Sequence, residues 1–153
     1  MISKANETHM VIVRSAREGD AAEIANLATQ LGYPSTEADI SRRLQSIQSS
    51  DGASVIVAEY GGGGVCGWIM VASVESLTAP TRAQVAGLIV DQARRGLGIG
   101  AALLQAAVNW ARIKGYPEIR VHSNTTRERA HQFYEREEFT RLKTQVLFTK
   151  SSA

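Results

Sequence analysis

Two arginines and three glycines stand together in Arg94-Arg95-Gly96-Leu97-Gly98-Ile99-Gly100, between an apolar segment and a long amphipathic one. A strand that delivers the chain to a helix N-terminus aims several unpaired backbone N–H groups at one point. The helix dipole adds roughly half a positive charge there. Glycines remove the Cβ atoms that would hold an anion away from those donors. The combination makes a phosphate site, and Arg94 and Arg95 add charge beside it. A Walker-type loop ends in Gly-Lys-Ser/Thr, whereas this turn ends in Gly100-Ala101-Ala102, which argues against ATP or GTP. Gly96, Gly98 and Ala101 formally satisfy the dinucleotide pattern G-x-G-x-x-G/A, and Glu118 lies where a ribose-binding acid could be imitated. Residues 91–95 intervene between strand and turn, however, and no succession of β-α-β units surrounds them, which counts against a dinucleotide. Glycines that merely let a helix pack on a sheet are the plainer alternative, and the arginines weigh against it.

Other reactive side chains are few. Cys66 is the only cysteine, so the chain has no internal disulfide and no cysteine-based metal site. It lies in an apolar stretch, which fits a buried, inert thiol. His122 and His131 stand near each other in sequence with no third ligand, so no metal is expected. A formal charge of +2 with scattered arginines argues against nucleic acid as a partner. No apolar run approaches the roughly 20 residues that span a bilayer. Residues 1–10 lack the apolar core of a signal peptide, so a cytoplasmic protein is expected.

The 153 residues, 44% of them apolar, suit one domain spanning 1–153 with a hydrophobic core. Alternation predicts a strand over 10–16. Asp20 and Glu23 have capping-box spacing for a helix carrying Ile24, Leu27, Ala28 and Leu31, which Gly32 ends. A second helix opens at Pro34, Ser35 and Thr36 and has Ile40, Leu44 and Ile47 as its apolar stripe. Strands are predicted over 54–60 and 65–73, joined by the glycines 61–64, and over 83–90. A long helix follows from about Ile99 to Lys114, with Ile99, Leu103, Ala107, Trp110 and Ala111 on its core face. A strand over 118–123, a helix over 127–137 and a closing strand over 142–149 complete the order β-α-α-β-β-β-α-β-α-β. Three successive strands favour antiparallel pairing, and the later β-α-β passage favours a parallel crossover. The expected fold is therefore a mixed α/β sheet.

Arg95-Gly96-Leu97-Gly98-Ile99-Gly100 resembles the Arg/Gln-x-x-Gly-x-Gly/Ala signature of the GNAT superfamily of N-acetyltransferases. Asn124, Ala130, Phe133, Tyr134, Glu135 and Phe139 are similar to that family's Asn…Ala…Phe-Tyr-Glu…Gly-Phe segment. The order of elements matches too, so the resemblance covers nearly the whole chain. It implies a mostly antiparallel central sheet, flanked by helices and splayed between its fourth and fifth strands. It also implies acetyl-coenzyme A as acetyl donor. Backbone around Gly96, Leu97, Gly98, Ile99, Gly100 and Ala101, with Arg95, would hold the pyrophosphate. The strand edge at Leu88, Ile89 and Val90 would pair with the pantetheine amides, Asn124 would contact the pantetheine arm, and Tyr134 would sit near the sulfur. Relatives in the family are often homodimers, a partner that the residues themselves do not show. Two positions depart from the pattern: Glu138 replaces a glycine, and Gln84 replaces a frequent glutamate.

An amine must be neutral to attack a thioester, yet an alkylammonium titrates near 10.4, which at pH 7 is a penalty of about 4.6 kcal/mol. A base or a water chain to one is therefore required. Glu75, Glu59 and Asp91 are candidates, with Glu75 first, and an ordinary solvated carboxylate is the plainer reading of each. Gln84 cannot accept the proton. Tyr134 can protonate the departing sulfur, since a phenol titrates close to a thiol's range; otherwise it is a core tyrosine between Phe133 and Phe139. The expected function is acetyl transfer by direct attack in a ternary complex, onto a primary amine of a small molecule or peptide. A non-catalytic acyl-coenzyme A sensor is the alternative.

Overall fold

The computed structural model describes residues 10–153, so the polar 1–9 segment lies outside the described residues. The chain divides into two compact units, one ending at Val121 and the other His122–Ala153. In the first, strands β1 (Val11–Ser15), β2 (Ala53–Tyr60), β3 (Val65–Val74), β4 (Arg82–Val90) and β5 (Ile119–Val121) form one sheet in that order. The first three pairings are antiparallel and β4–β5 is parallel. Helices α1 (Ala21–Gln30), α2 (Glu37–Gln48) and α3 (Ile99–Ile113) complete this unit. Among the described residues no helix is long and apolar enough to cross a membrane.

Period-two alternation gives the sheet two apolar faces. A Cβ added at Gly67 would meet Leu103 Cδ1 at 3.1 Å and Ile99 Cγ2 at 3.3 Å, so α3 packs closely on the β3 face that carries Gly67, Ile69 and Val71. Ile69, Val71 and Leu103 are fully buried. The opposite face holds the cluster of Val55, Val57, Val65 and Ile89 with Ile24, Leu27 and Ala28 of α1 and Leu44 of α2. Ile40, Ile47, Trp68 and Met70 pack around it. The helical stripes expected from spacing are therefore the buried ones. Cys66 is buried as expected and forms a bulge: Ala58 pairs with Gly67 and Glu59 with Val65, leaving Cys66 unmatched. Burial pushes its thiol pKa up.

The start of α1 differs from the capping-box expectation. A 3-10 turn at Glu18–Asp20 precedes the helix, and Asp20 makes no side-chain cap to it. Its carboxylate instead accepts from the Arg17 N–H at 2.7 Å and from both terminal nitrogens of Arg14 at 2.8 and 2.9 Å. Arg14 also donates through Nε and Nη2 to Glu59 Oε1 at 3.1 and 2.7 Å. One planar guanidinium thus ties β1 to β2 and to the entry of α1, as its fork geometry permits. Glu23, the other capping candidate, accepts from the Val65 N–H at 2.7 Å. Gly64, at φ +73, makes room for it, since a Cβ there would fall 2.7 Å from Glu23 Oε2. The helix ends follow their signals better. Thr36 caps α2 by accepting from the Asp39 N–H, and Gly32 leaves α1 at φ +94.

The second unit contains α4 (Glu128–Arg136). Asn124 Oδ1 accepts from Thr126 N and Oγ1 ahead of this helix, and the Asn124 carbonyl bonds the His131 ring and the Arg127 N–H. At its far end Phe139 N donates to the Tyr134 carbonyl and Glu138 N to that of Glu135, the paired bonds of a Schellman stop. Glu138 occupies the left-handed position at φ 69, the one non-glycine residue with positive φ among those described. The strand expected over 142–149 is not formed. Leu142, Val146, Leu147 and Phe148 are exposed, and the segment pairs with no strand of the sheet. Alternation favours an extended chain, but a strand exists only where a partner accepts its ladder.

Two tests follow from these contacts. The hydrogen bonds from Arg14 hold the Asp20 carboxyl below its ordinary range, against the opposing effect of burial. Its folded pKa therefore lies below its unfolded one, and the stabilisation is present above about pH 4 and lost as pH falls through the folded pKa. Urea unfolding from pH 7 to pH 3 should show this acid loss. Asp20→Asn should be less stable by about 2 kcal/mol at pH 7, with a flatter acid limb. Glu138→Gly should raise stability by about 1 kcal/mol by relieving the left-handed strain, read as a higher thermal midpoint.

Candidate active site

Strand β4 is where the sheet opens. Met70 pairs with Gly87 and Val71 with Val85, so Ala86 has no opposite number on β3. A bulge of this kind bends a strand and re-aims its peptide groups. On its other edge β4 pairs with β5 only at Ala83, Gln84 and Val85, opposite Ile119, Arg120 and Val121. Parallel pairing therefore ends immediately before the bulge. Residues 86–90, including Leu88, Ile89 and Val90, have no strand partner on that edge among the described residues. Ala86 itself is exposed. The bulge gave no sequence signal, since Ala86-Gly87 reads as ordinary small residues in an apolar run.

The glycine-rich turn follows directly. Asp91 N donates to the Cys66 carbonyl at 2.8 Å, and the Asp91 carboxylate accepts from Ala93 N at 3.1 Å. A single 3-10 turn at Gln92–Arg94 then leads through Arg95 into α3. Gly96 and Gly98 both adopt φ +80, a conformation that favours glycine, and a Cβ on either would meet nothing within 4 Å. Gly98 is the N-cap and supplies no side-chain cap. The helical ladder begins with Ala102 N donating to the Gly98 carbonyl at 3.0 Å, so the N–H groups of Ile99, Gly100 and Ala101 precede it. Three uncapped donors at the positive end of a 15-residue helix, with open space in front, fit an anionic phosphate. Leu97 and Arg95 are exposed beside them. Arg94, expected to add charge here, instead lies 5.0 Å over the Tyr60 ring. It holds the turn to the end of β2, a stacking that spacing cannot reveal.

Across the sheet Trp68 covers Gly87. A Cβ there would fall 3.1 and 3.2 Å from the indole Cζ3 and Cη2. Gln84 is half-buried and paired with Arg120. Glu75 is exposed just beyond β3, lining a hollow with Ser76, Leu77 and Thr81. Glu59, a second candidate base, is engaged by Arg14, and Asp91 by its own turn.

Asn124 and Tyr134 belong to the second unit. The Asn124 carboxamide oxygen is occupied by Thr126, which leaves its Nδ2 as the group for a ligand. Tyr134 packs between Phe133, with centroids 5.2 Å apart, and Phe139, at 5.7 Å. Burial raises its phenol pKa, against a lowering by Arg127, so it keeps its proton through the neutral range.

Comparison with known proteins gives the family. No curated protein matches the chain in sequence. Solved structures share its fold. A transcriptional regulator from Bacillus halodurans C-125 superposes with a TM-score of 0.80 at 24% identity, covering 92% of this chain and 100% of its own. AAC(6')-Iy in complex with the bisubstrate analog CoA-S-monomethyl-acetylneamine gives 0.82 at 15%, covering 93% and 99%. Glucosamine-6-phosphate N-acetyltransferase from Arabidopsis thaliana gives 0.76 at 16%, covering 94% and 99%. The sequence profile of the acetyltransferase (GNAT) family matches residues 20–139. With most of its length inside that profile and the sheet built accordingly, the chain belongs to the GNAT acetyltransferase family.

Proposed function

We propose that this protein is an N-acetyltransferase that moves an acetyl group from acetyl-coenzyme A to a primary amine of a small molecule or peptide. The observation that carries the reading is the continuity of β4 and α3: a strand edge freed at the Ala86 bulge runs straight into an uncapped, glycine-lined helix N-terminus. An extended arm with amides and a terminal pyrophosphate matches that sequence of features, with strand-like pairing along Leu88 to Val90 and phosphate at Gly96 to Ala101. Residues 1–153 act as one acetyltransferase domain, a reading supported by the unbroken family match over 20–139. Among proteins of this fold, one is titled as bound to a coenzyme A conjugate of acetylneamine and another as an acetyltransferase of glucosamine 6-phosphate. Small amines are therefore the first acceptors to screen.

In this mechanism the thioester supplies an activated acyl carbon. A neutral amine forms the C–N bond as the C–S bond breaks; the nitrogen gives up one proton and the departing sulfur takes one. Tyr134 donates the latter, since burial keeps its phenol protonated through the neutral range. Glu75, exposed at the hollow beyond β3, receives the former directly or through water. Attack is direct, and the buried Cys66 thiol takes no part.

Titration calorimetry tests the donor first. Acetyl-coenzyme A should bind at micromolar concentration and NADH should give no heat. Gly98→Val should weaken binding by about tenfold or more, since a β-branched residue cannot hold φ +80 at the phosphate turn. Absence of acetyl-coenzyme A binding would sink the proposal. Tyr134→Phe should lower kcat by about a hundredfold, with a smaller effect on the Kd for acetyl-coenzyme A. A second reading, an acyl-coenzyme A sensor without turnover, is favoured only by Gln84 standing where a base is common. Thiol release in the presence of an amine panel separates the two.

A further inference from the structure

Beyond the Ala86 bulge the sheet carries an unbalanced positive charge. The register sets Gln84 opposite Ala72 and Arg82 opposite Val74. These positions alternate with Val71, Ala83 and Val85, which are buried on the α3 side. Arg82 and Gln84 therefore lie on the other face of the sheet, and β5 sets Arg120 beside Gln84. Arg120 donates through Nε to Glu118. Arg82 makes no hydrogen bond or ion pair among the described residues, although its Nε is buried. Trp68 Nε1 is likewise buried without a partner, and Trp68 faces the same side as Gly87. Two guanidiniums thus meet one engaged carboxylate, Glu118, while Glu75 stands exposed past the end of β3. A buried donor without an acceptor is a costly feature for a sheet to keep.

The position relative to the donor is fixed by the strand. From Val90 back to Ala86 is four residues, about 13 Å at a strand's rise. An arm held at the α3 N-terminus and laid along that edge ends near the bulge. Whatever reacts there must approach from the Gln84 and Arg82 side. The α3 side is closed, with Ala83 and Val71 fully buried.

We propose that the amine acceptor carries an anionic oxygen group, a carboxylate or a phosphate, which Arg82 binds with Arg120 beside it. This rests on the acetyltransferase reading. It also accounts for Gln84: a cationic surrounding favours the neutral form of an incoming amine, and a glutamate there would neutralise the charge that recognises the acceptor.

The test compares matched amines in a thiol-release assay with saturating acetyl-coenzyme A: phosphoethanolamine against ethanolamine, and β-alanine against β-alaninamide. At least one anionic member should exceed its neutral partner in kcat/KM by about tenfold or more, and which pair responds distinguishes phosphate from carboxylate. Arg82→Gln should collapse that ratio towards one, and Arg82→Lys should keep part of it. Acetyl-coenzyme A binding by calorimetry, measured on every variant, separates a folding defect from lost recognition. Equal rates within both pairs, turnover of the neutral members alone, no turnover of either anionic amine, or a ratio untouched by Arg82→Gln overturns the inference while leaving donor binding intact. Loss of acetyl-coenzyme A binding by the unmodified protein is instead the failure of the acetyltransferase reading, and this inference falls with it.

Discussion

Everything in the site depends on where β4 stops being an ordinary strand. Up to Val85 it is hydrogen-bonded on both sides, to β3 and to β5. At Ala86 an extra residue enters, and from there to Val90 one edge of the backbone has no strand partner among the described residues. Unpaired peptide groups are normally a liability at the rim of a sheet. Here the same groups lead directly to the N-terminus of α3, whose first amides are also uncapped. A single inserted residue therefore converts the middle of a sheet into a continuous line of donors and acceptors.

The two sheet faces divide the remaining work. Gly67 lets α3 settle against β3, so that face is closed by side chains with almost no exposure. The other face is half covered, with the α1 and α2 core at one end and Arg82, Gln84 and Arg120 at the other. The Arg14, Asp20 and Glu59 cluster is the structural counterpart of the latter group. In it the carboxylates outnumber the guanidinium and each is hydrogen-bonded, so its charge is consumed in holding β1, β2 and α1 together. Near the bulge the balance is reversed: Arg120 takes the one carboxylate, Glu118, and Arg82 Nε is left without a hydrogen-bond partner among the described residues.

Much of this was legible from residues alone. The stripes Ile24–Leu27–Ala28 and Ile40–Leu44–Ile47 report helices because burial imposes their spacing. Gly96 and Gly98 report the tight turn before α3 because φ +80 leaves little choice of residue. Local sequence patterns do not report contacts whose deciding partner is distant in sequence. Asp20 had the spacing of a cap, but Arg14 claims its carboxylate. Leu142 to Thr149 had strand-like composition without a strand to join. The Ala86 bulge arises from the register of β3 against β4, which no local pattern encodes, and the stacking of Arg94 on Tyr60 is invisible for the same reason.

That stacking has a thermodynamic consequence. The entry to the turn is held twice, by the Asp91 N–H on the Cys66 carbonyl and by Arg94 over Tyr60. Its backbone is thus fixed to the β2–β3 hairpin before any ligand arrives. Ordering a loop on binding costs conformational entropy that would otherwise subtract from affinity. A turn whose entry is already tied to the hairpin has less of that loss to bear. On the proposed donor reading, the glycines 61–64, with Glu23 closing on the Val65 N–H, act on affinity through the hairpin rather than by touching the ligand.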